Sequence, residues 1–328
     1  MKLSVIIVNY NVCKDVVKCI SSIKKSVNGI NYEIIVADNN SYECNISEIK
    51  ELFPDVRLIL LEQNKGFGFA NNEAMKIAKG EYFLIVNPDI EFRNGTVNKL
   101  MEYLIDNPET GVVSPVLISP EGNVEFYDSF FPSFFSRVYQ TFGGLQTKKN
   151  TSEKMFKSMR DNIEKGKPFK VDNVMGACMM LRKELFNSTG GFDEAFFLYE
   201  EETDWQRRIH YSGWDVKILP DIFVIHNHHS SIKRMGKDFE YYHFFRSRII
   251  FSNKHYNYTK NLLFTLLFSL ALLSRIIINL CRYTYKNNKY YFKKSSLQYE
   301  LFKFNLRRRK DIINNIYNFD EHISSFPR

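Results

Sequence analysis

Residues 3–11 of the chain, LSVIIVNYN, set the pattern from which the fold follows. The almost continuous apolar run Leu3–Val8 is rich in β-branched residues and predicts a strand that is buried on both faces. Asp15–Ser26 follows with helical periodicity, and Glu33–Ala37 is a second strand of the same kind. The chain therefore begins as the strand–helix–strand unit of a parallel sheet.

The same alternation continues to about residue 120. It predicts strands and helices in turn, at Val56–Leu61 (strand), Phe69–Lys79 (helix), Tyr82–Val86 (strand), Thr96–Ile105 (helix) and Gly111–Leu117 (strand). Apolar strands separated by helices predict an α/β fold, Rossmann-like, with a mainly parallel sheet and helices on both faces. Ligands of such sheets bind at the carboxyl ends of the strands, so functional residues are expected directly after each strand.

The second part of the chain is less regular. Residues 121–170 contain FFPSFF, a Gly-Gly pair and a Lys-rich stretch, and we predict an irregular, mobile loop region there. The remaining core elements are predicted at Asn173–Leu181 (strand), Asp204–Tyr211 (helix), Val216–Leu219 (strand) and Ile222–Ile225 (strand). From about residue 236 the pattern is helical and basic. We therefore predict a catalytic domain over 1–235 and a basic, aromatic helical region over 236–328.

Charge is distributed unevenly between these two parts. Residues 231–328 carry 19 Lys and Arg against 6 Asp and Glu, a net charge of +13, whereas residues 1–230 carry a net charge of −5. A basic region of this kind favours an anionic partner, either a membrane surface or a nucleic acid. No nucleic-acid-binding motif accompanies the charge, so a membrane is favoured and nucleic acid is not expected.

The spacing of the cysteines matches no known metal-binding or disulfide motif. The five of them are scattered, odd in number and never form a C-x-x-C pair: Cys13, Cys19, Cys44, Cys178 and Cys281. This favours a reducing compartment and predicts neither a disulfide framework nor a zinc site. The apolar run at the N-terminus lacks the features of a signal peptide, so the catalytic part is expected in the cytoplasm.

Polar clusters follow four of the predicted strands. They are Asn9-Tyr10-Asn11, Asp38-Asn39-Asn40-Ser41, Asn64–Asn72 (NKGFGFANN) and Asn87-Pro88-Asp89. Each cluster alone is typical of a turn or a helix cap. Four of them at the carboxyl ends of strands, two with carboxylates, predict a single binding site at that edge. The glycines of the third cluster do not match a dinucleotide-binding G-x-G-x-x-G motif, which argues against a dehydrogenase.

A fifth segment gathers negative charge behind an aromatic run. Residues 190–205 read GGFDEAFFLYEEETDW, with three consecutive glutamates and then Asp204. Carboxylates crowded in this way suit a general base that accepts a proton near neutral pH. The alternative is an acidic helix N-terminus stabilised by the helix dipole, an interpretation that fits Glu200 in particular.

Taken together, VIIVNYN, VADNNS, NKGFGFANN, VNPD, GGFDEAFFLYEEETDW and the later His226 resemble glycosyltransferase family 2. The similarity is strongest to its rhamnosyltransferase-like bacterial branch and covers about residues 1–230. The resemblance implies the glycosyltransferase A fold and an inverting transfer by a single displacement. It also implies a nucleotide-diphosphate sugar as the donor, with Mg²⁺ or Mn²⁺ as the cofactor.

The resemblance further implies roles for residues of the donor site. Tyr10, beside Asn11, is expected to stack on the donor base, and Asp38 to accept a hydrogen bond from the base. The loop near the diphosphate and the sugar is expected to be shaped by Asn64, Gly66 and Asn72.

The metal site and the base are implied in the same way. The D-x-D motif of the family appears here as Asn87-Pro88-Asp89, so Asp89 is the anionic metal ligand, Asn87 lies on the donor side, and His226 is a second ligand. A single carboxylate suffices because Mg²⁺ keeps several waters and binds substrate phosphates. We predict Glu202 as the catalytic base, with Glu201 and Asp204 as orienting groups. His228 and His229 fit a metal site or a surface turn equally well.

The C-terminal region contains one long apolar segment. Leu262–Cys281 reaches the length of a bilayer span only by including Arg275, and basic residues flank it on both sides. Arg307–Lys310 would add attraction to anionic lipid. We predict a helix that lies in the membrane interface; a spanning helix, or a helix buried against the catalytic domain or a dimer partner, is the alternative.

These observations predict an enzyme at the cytoplasmic face of the cell membrane. It would transfer a sugar to a lipid-linked saccharide or other glycan acceptor in cell-surface polysaccharide or O-antigen synthesis. Rhamnose from dTDP-rhamnose is the first choice of sugar, and this choice is implied by the resemblance alone. A homo-oligomer is left open. The alternative from a different class is a catalytically silent, sugar-nucleotide-binding scaffold of a membrane assembly.

Overall fold

The computed structural model describes residues 2–125, 127, 129–142, 148–227 and 236–314, without the side chains of 148–155. The predicted alternatives for His228 and His229 therefore lie outside the described residues. The described chain divides into two compact units. Unit 1 comprises 1–131, 152–193 and 202–231, and unit 2 comprises 132–151, 194–201 and 232–328. Because unit 2 takes in two internal segments, the predicted domain boundary at residue 235 stays a prediction.

Unit 1 is built around one sheet, in the order β3-β2-β1-β4-β8-β6-β9-β5, with β7 paired to β9. Its strands are β1 (Leu3–Asn9), β2 (Tyr32–Asp38), β3 (Arg57–Leu60), β4 (Tyr82–Val86), β5 (Ile90–Phe92), β6 (Thr110–Ile118), β7 (Phe169–Val171), β8 (Cys178–Arg182) and β9 (Asp215–His226). The helices that precede unit 2's C-terminal part are α1 (Cys13–Ser26), α2 (Ser47–Leu52), α3 (Phe67–Ile77), α4 (Thr96–Asp106), α5 (Phe134–Phe142), α6 (Lys148–Glu164), α7 (Lys183–Thr189) and α8 (Glu201–Tyr211).

The two faces of the sheet bury separate apolar layers, because successive side chains of a strand point to opposite sides. On β1, Leu3, Val5 and Ile7 contribute to one layer together with α1 and α4. Ile6 contributes to the other layer, with residues of α3 and with Trp205 of α8. The α/β fold with helices on both faces is confirmed.

The direction of the strands changes across the sheet. In the described residues, β1 runs parallel to β2 and β4, β2 to β3, and β6 to β9. The pairs β4–β8, β6–β8, β5–β9 and β7–β9 are antiparallel. The sheet is therefore mixed, and its parallel half, β3-β2-β1-β4, contains the strand ends after which all four polar clusters were expected.

Three segments differ clearly from the sequence-based expectation. The strand predicted at Asn173–Leu181 begins only at Cys178. The backbone N–H and carbonyl of Val174 form hydrogen bonds with the Gln206 side chain and not with a neighbouring strand. The two late strands are one, β9, whose pairing with β6 shifts register between Pro115 and Val116. The prediction of an irregular loop over 121–170 is wrong, because α5, α6 and β7 form there.

The prediction that the cysteines stay unpaired is also wrong for one pair. Cys13 and Cys44 form a disulfide, with their Cα atoms 5.9 Å apart. Their sequence separation of 31 conceals the proximity in the sequence. Cys13 follows β1 and Cys44 follows β2, and the parallel register that places Asn9 opposite Asp38 brings the two loops together.

Unit 2 contains four helices in its C-terminal part: α9 (Lys237–His255), α10 (Tyr258–Lys286), α11 (Lys289–Asn305) and α12 (Arg309–Ile313). Asparagines mark their boundaries. The Asn257 side chain accepts a hydrogen bond from the backbone N–H of Lys260 and caps α10, which ends at Asn287 in a left-handed conformation. The Asn288 side chain caps α11 in the same way. In the described part of the chain, α10 is long and apolar enough to cross a membrane.

Candidate functional site

The carboxyl ends of β1 and β2 carry a buried polar cluster. Asn9 ends β1, and its side-chain N–H₂ donates to Asp38 Oδ1 at 2.6 Å and to Ser41 Oγ at 3.0 Å. The backbone N–H of Ser41 donates to Asp38 Oδ2 at 3.0 Å. Asp38, which is 4 % exposed, is thereby fixed at the sheet edge, with charge-assisted hydrogen bonds to both of its oxygens.

Asn11 and Tyr10 complete this side of the site. Asn11 takes a left-handed backbone conformation (φ 59°), which Asn tolerates better than most residues, and its side-chain oxygen accepts from the backbone N–H groups of Tyr42 and Glu43. The Tyr10 ring lies edge-on to that of Tyr42, with the ring centroids 6.3 Å apart. Burial raises the pKa of the Tyr10 phenol above its ordinary value, so this hydroxyl stays protonated at physiological pH.

The third cluster forms a loop that is tied to the second. Asn39 Nδ2 donates to Asn64 Oδ1 at 2.7 Å, and the same oxygen accepts from the Gly66 backbone N–H at 3.0 Å. Gly66 has φ 99°, a conformation that residues with a side chain rarely adopt, and α3 begins directly after it. Asn64 and Gly66 therefore lie at the edge formed by β1 and β2, as predicted.

Asn72 has a different role within unit 1, because it bonds the backbone before the acidic segment. Its side chain donates to the Phe192 carbonyl at 2.8 Å and accepts from the Phe192 N–H at 3.0 Å. A β-carbon at Gly191 would lie only 2.6 Å from Asn72 Oδ1, so the pair packs too closely for any other residue at position 191. These bonds position the loop before the acidic segment; a contact between Asn72 and the donor stays a prediction.

The fourth cluster meets the end of β9. Asn87 and Asp89 lie between β4 and β5, and β5 pairs antiparallel with β9 so that Ile90 lies opposite His226. The Asp89 carbonyl accepts from the Asn227 N–H at 2.9 Å, while Asp89 Oδ1 lies 3.6 Å from His226 Nε2. The prediction that His226 lies near Asp89 therefore agrees with the geometry, although sequence positions 89 and 226 are far apart.

Asp89 carries the clearest sign of a missing partner. Its side chain is 6 % exposed, and neither carboxylate oxygen has a hydrogen-bond partner among the described residues. Leaving a buried charge in this state is costly, and native proteins pair such groups or use them to bind ions. Among those residues no group of three or more His, Cys, Asp and Glu side chains is arranged to hold a metal. One carboxylate and one imidazole fit a divalent ion that takes its other ligands from phosphates and water.

Glu125 is a residue of this site that the sequence analysis missed. Its side chain lies 2.8 Å from His226 Nδ1, and because a carboxylate accepts, this ring nitrogen carries the proton. The other nitrogen, Nε2, is the one directed at Asp89. A tight turn after β6, in which the Ser119 N–H donates to the Asn123 carbonyl and the Glu125 N–H to the Leu117 carbonyl, returns Glu125 to the end of the strand. The Pro-Glu-Gly-Asn sequence of that turn was the signal available.

Glu202 and Asp204 lie in the first turns of α8. Gln206 of the same helix is fully buried and bonds both the N–H and the carbonyl of Val174, which docks α8 on residues 174–177. A β-carbon at Gly176 would lie 3.5 Å from Glu202 Cβ, and the next carbonyl, that of Ala177, accepts from the Asn87 N–H at 2.8 Å. One short segment therefore contacts both Glu202 and the N-P-D cluster.

Asp204 is fully buried and pairs with Arg208 one turn later, at 2.9 Å. Arg208 also donates to the carbonyl of Gly191, so this pair ties α8 to the Gly190-Gly191 loop. Asp204 thus holds the helix that carries Glu202, which is consistent with the orienting role predicted for it. A direct part in the reaction stays a prediction.

The aromatic run before α8, with Glu200 and Glu201, belongs to unit 2. There the carbonyl of Ala195 accepts from Arg246 at 2.7 Å and that of Leu198 from Ser247 at 2.7 Å. Tyr199 and Glu200 both have left-handed backbones (φ 67° and 71°), which are strained for residues with side chains.

The strained turn is held by a charge pair. Glu200 forms a buried ion pair with Arg137 of α5. Glu200 is therefore a structural anchor through an ion pair, and not through the helix dipole that the alternative interpretation invoked for it. Glu201 follows as the first residue of α8 and is 4 % exposed.

A mixed α/β sheet with an orphaned buried carboxylate beside a histidine at its edge defines a ligand-binding α/β protein of the Rossmann-like kind. The family model described as glycosyl transferase family 2 matches residues 4–190, more than half of the chain. The protein therefore belongs to glycosyl transferase family 2 and is a glycosyltransferase.

The chain is similar to two named rhamnosyltransferases. The chain is 26 % identical over 257 residues to the N-acetylglucosaminyl-diphospho-decaprenol L-rhamnosyltransferase of Mycobacterium tuberculosis, covering 75 % of this chain and 83 % of that protein. It is 27 % identical over 228 residues to the dTDP-rhamnosyl transferase RfbF of Shigella flexneri, covering 67 % of each.

Solved structures support the fold. The mannosyltransferase PcManGT of Pyrobaculum calidifontis, in complex with GDP-Man and Mn²⁺, matches with a TM-score of 0.55 at 16 % identity, over 92 % of this chain and 84 % of that one. GalNAc-T7 with UDP, GalNAc and Mn²⁺ matches with a TM-score of 0.54 at 16 % identity, over 70 % of this chain and 44 % of that one. At this identity the likeness establishes the glycosyltransferase A fold alone.

Proposed function

We propose that the protein is an inverting, metal-dependent rhamnosyltransferase that acts on a lipid-linked saccharide at the cytoplasmic face of the cell membrane. The proposal is carried by the buried Asp89 carboxylate, which lies 3.6 Å from His226 and has no hydrogen-bond partner in the part of the chain that the structure describes. Rhamnose as the sugar and a lipid diphosphate as the acceptor carrier are supported by the names of the relatives, two of which are rhamnosyltransferases.

In this proposal the polar edge of β1, β2 and β4 binds the nucleotide-diphosphate sugar. The base would stack on Tyr10 and bond to Asp38, whose carboxylate is already oriented by Asn9 and Ser41. Asp89 and His226 would hold Mg²⁺ or Mn²⁺, which supplies positive charge to the leaving diphosphate.

Glu202 would be the general base of the reaction. Its carboxylate accepts the proton of the acceptor hydroxyl as that oxygen bonds to the anomeric carbon, and the bond from this carbon to the diphosphate oxygen breaks on the opposite face. A single displacement of this kind inverts the anomeric centre. Asp204 and Gln206 keep α8, and so Glu202, in place through Arg208 and Val174.

The first test is a panel of nucleotide sugars offered with Mn²⁺, with and without a polyprenyl-diphosphate saccharide acceptor. We expect dTDP-rhamnose to give the highest kcat/KM and the release of nucleoside diphosphate to require both acceptor and metal. NMR of the product should show the anomeric configuration opposite to that of the donor. Transfer of another sugar in preference to rhamnose contradicts the choice of donor, and absence of any donor turnover contradicts the enzyme in favour of a silent scaffold.

Glu125 gives a second prediction, because its bond to His226 Nδ1 fixes the orientation of the imidazole ring. Residues that orient metal-binding histidines in this way typically contribute about 10- to 100-fold to metal affinity. Glu125→Gln keeps the size of the side chain but weakens this bond, so Mn²⁺ affinity in the presence of nucleoside diphosphate should fall by about that factor. The measurement is electron paramagnetic resonance titration of free Mn²⁺.

The matched control for this variant is Glu121→Gln. Glu121 lies in the same turn, is exposed and bonds only to Ser119 among the described contacts, so its replacement should leave Mn²⁺ affinity unchanged. Equal Mn²⁺ affinity in the Glu125→Gln variant and the unaltered protein would show that Glu125 does not position the histidine.

A further inference from the structure

The helix α10 exposes an apolar face. Its exposed apolar side chains recur mainly three or four residues apart and are between 39 % (Leu273) and 60 % (Ile277) exposed. They are Leu262, Leu263, Leu266, Leu270, Leu273, Ile277, Ile278 and Leu280, and we call this set the α10 apolar face. Ser274 is exposed among them and bonds back to the Ala271 carbonyl of the same helix. Over these 19 positions the face is about 28 Å long. Exposed apolar patches of this extent mark sites of interaction.

Arg275, which breaks the apolar run in the sequence, lies outside this face. Its guanidinium donates to the Tyr241 hydroxyl at 3.3 Å and to the Thr141 carbonyl, so it is held on the protein side of α10. The same side carries Asn279, which donates to Gln298 at 3.0 Å, and Ser269, which is bonded by Asn305. Arg275, Asn279 and Ser269, in the middle of the helix, therefore face their neighbours in unit 2.

The packing of α11 argues against a helix that spans a membrane. α11 lies against the middle of α10, because Ser295 bonds to the carbonyl of Ile276 and Asn305 to that of Thr265. α11 carries Lys289, Lys293, Lys294 and Lys303, and taking these charges into the hydrocarbon beside α10 would be costly. A helix of bilayer length that keeps α11 along one side can offer lipid only its other side.

The ends of the face carry the residues expected at a lipid headgroup layer. Lys260, Arg282 and Lys286 are exposed at the two ends, together with Tyr258 and Tyr285, which are 75 % and 89 % exposed. Tyrosine prefers the boundary between hydrocarbon and water, and each basic residue near an anionic surface adds about 1 kcal/mol of attraction. A second copy of the chain would have to cover the apolar face while opposing these like charges.

We propose that the α10 apolar face lies in the plane of a bilayer that contains anionic phospholipid, with α11 on the water side. This inference rests on the proposed function, sugar transfer to a lipid-linked acceptor at a membrane, and it names the surface by which the protein binds that membrane. The protein is thus monotopic: α10 enters one leaflet to about the depth of its exposed side chains and does not cross.

Binding is tested with the full chain and vesicles of phosphatidylcholine and phosphatidylglycerol, by flotation. The double variant Leu266→Glu/Leu270→Glu should lower the partition constant about 100-fold, since each leucine is worth about tenfold when it enters lipid. The matched control, Leu52→Glu/Leu60→Glu, places the same charges at exposed leucines of unit 1 and should float like the unaltered protein. If the first pair unfolds the protein, Ile277→Glu/Leu280→Glu provides the same test on the same face.

Orientation is tested by cysteine labelling in sealed vesicles. Tyr258→Cys and Tyr285→Cys, each made with Cys281→Ser to remove the exposed cysteine, should both react with a membrane-impermeant maleimide added outside. Protection of one position and not the other would show a spanning helix and overturn the proposal. The proposal would also be overturned if the Leu266→Glu/Leu270→Glu variant floated to the same extent as the unaltered protein. The same holds if sedimentation showed that this variant is a monomer and the unaltered protein a dimer, because the apolar face would then bind a second copy of the chain. None of these measurements involves sugar transfer, so their failure is distinct from failure of the proposed reaction.

Discussion

Replacing Asp89 by asparagine is expected to lower kcat by about 10²–10³, the usual effect of losing one group that stabilises charge in a transition state. The variant keeps the shape of the side chain and removes its negative charge. The affinity for Mn²⁺ and the part of donor affinity that depends on Mn²⁺ should fall with it. Steady-state kinetics with a Mn²⁺ titration, and donor binding measured with and without chelator, give the three quantities.

The stability of the same variant separates a functional role from a structural one. Asp89 is buried and has no hydrogen bond to either oxygen from the described residues, so in the absence of metal its charge is expected to destabilise the fold. Asp89→Asn should therefore leave the free energy of unfolding unchanged or raise it when no metal is present, although activity is lost. Asp106→Asn, at the exposed end of α4, is the control that should change neither quantity. A clear fall in stability together with activity would make Asp89 a structural residue.

The parallel half of the fold was predictable because its signals are local. β4 agrees residue for residue with its predicted range, and β1, β2 and β3 agree to within two residues at each end. Parallel neighbours necessarily bring their carboxyl ends to one edge, so the meeting of Asn9 with Asp38 followed from the strand assignment. The spatial grouping of the first two polar clusters needed no further information.

The antiparallel half was not predictable, because the direction and partner of a strand are set by long-range pairing. β8 reads as another apolar strand, and nothing within Cys178–Arg182 states that it runs against both neighbours. The pairing of β5 with β9 is what places His226 beside Asp89, and only the resemblance to a family suggested it. Glu125 was missed because its role depends on a partner 101 positions away.

The C-terminal helical region shows a different limit of prediction from sequence. Composition placed Arg275 inside an apolar segment and left open whether that segment lies in the membrane interface, spans the membrane or is buried in the protein. Which side of α10 the arginine occupies depends on Tyr241 and Thr141, groups on two other helices. Similarly, the role of Glu200 depends on Arg137, which lies in a stretch predicted as loop. Helical periodicity identifies two faces, but only packing decides which face is covered.

The second large effect is expected at Glu202. Glu202→Gln preserves the size of the side chain and removes the proton acceptor, so kcat should fall by about 10²–10⁴ while donor affinity changes little. Glu202 lies against Gly176, next to the residue that bonds Asn87, whereas Glu201 precedes it at the start of α8. Glu201→Gln is therefore the matched control, with the same chemical change one residue away.

The comparison is made by single-turnover kinetics over a range of pH. The unaltered enzyme should lose activity at low pH as the base becomes protonated, and this limb of the profile should disappear in Glu202→Gln. Glu201→Gln should keep the limb and most of the rate. A full-rate Glu202→Gln variant beside an inactive Glu201→Gln variant would move the base by one residue. Equal losses in both, with weakened donor binding, would instead mean that the two carboxylates act through the structure of α8, as Asp204 does through Arg208.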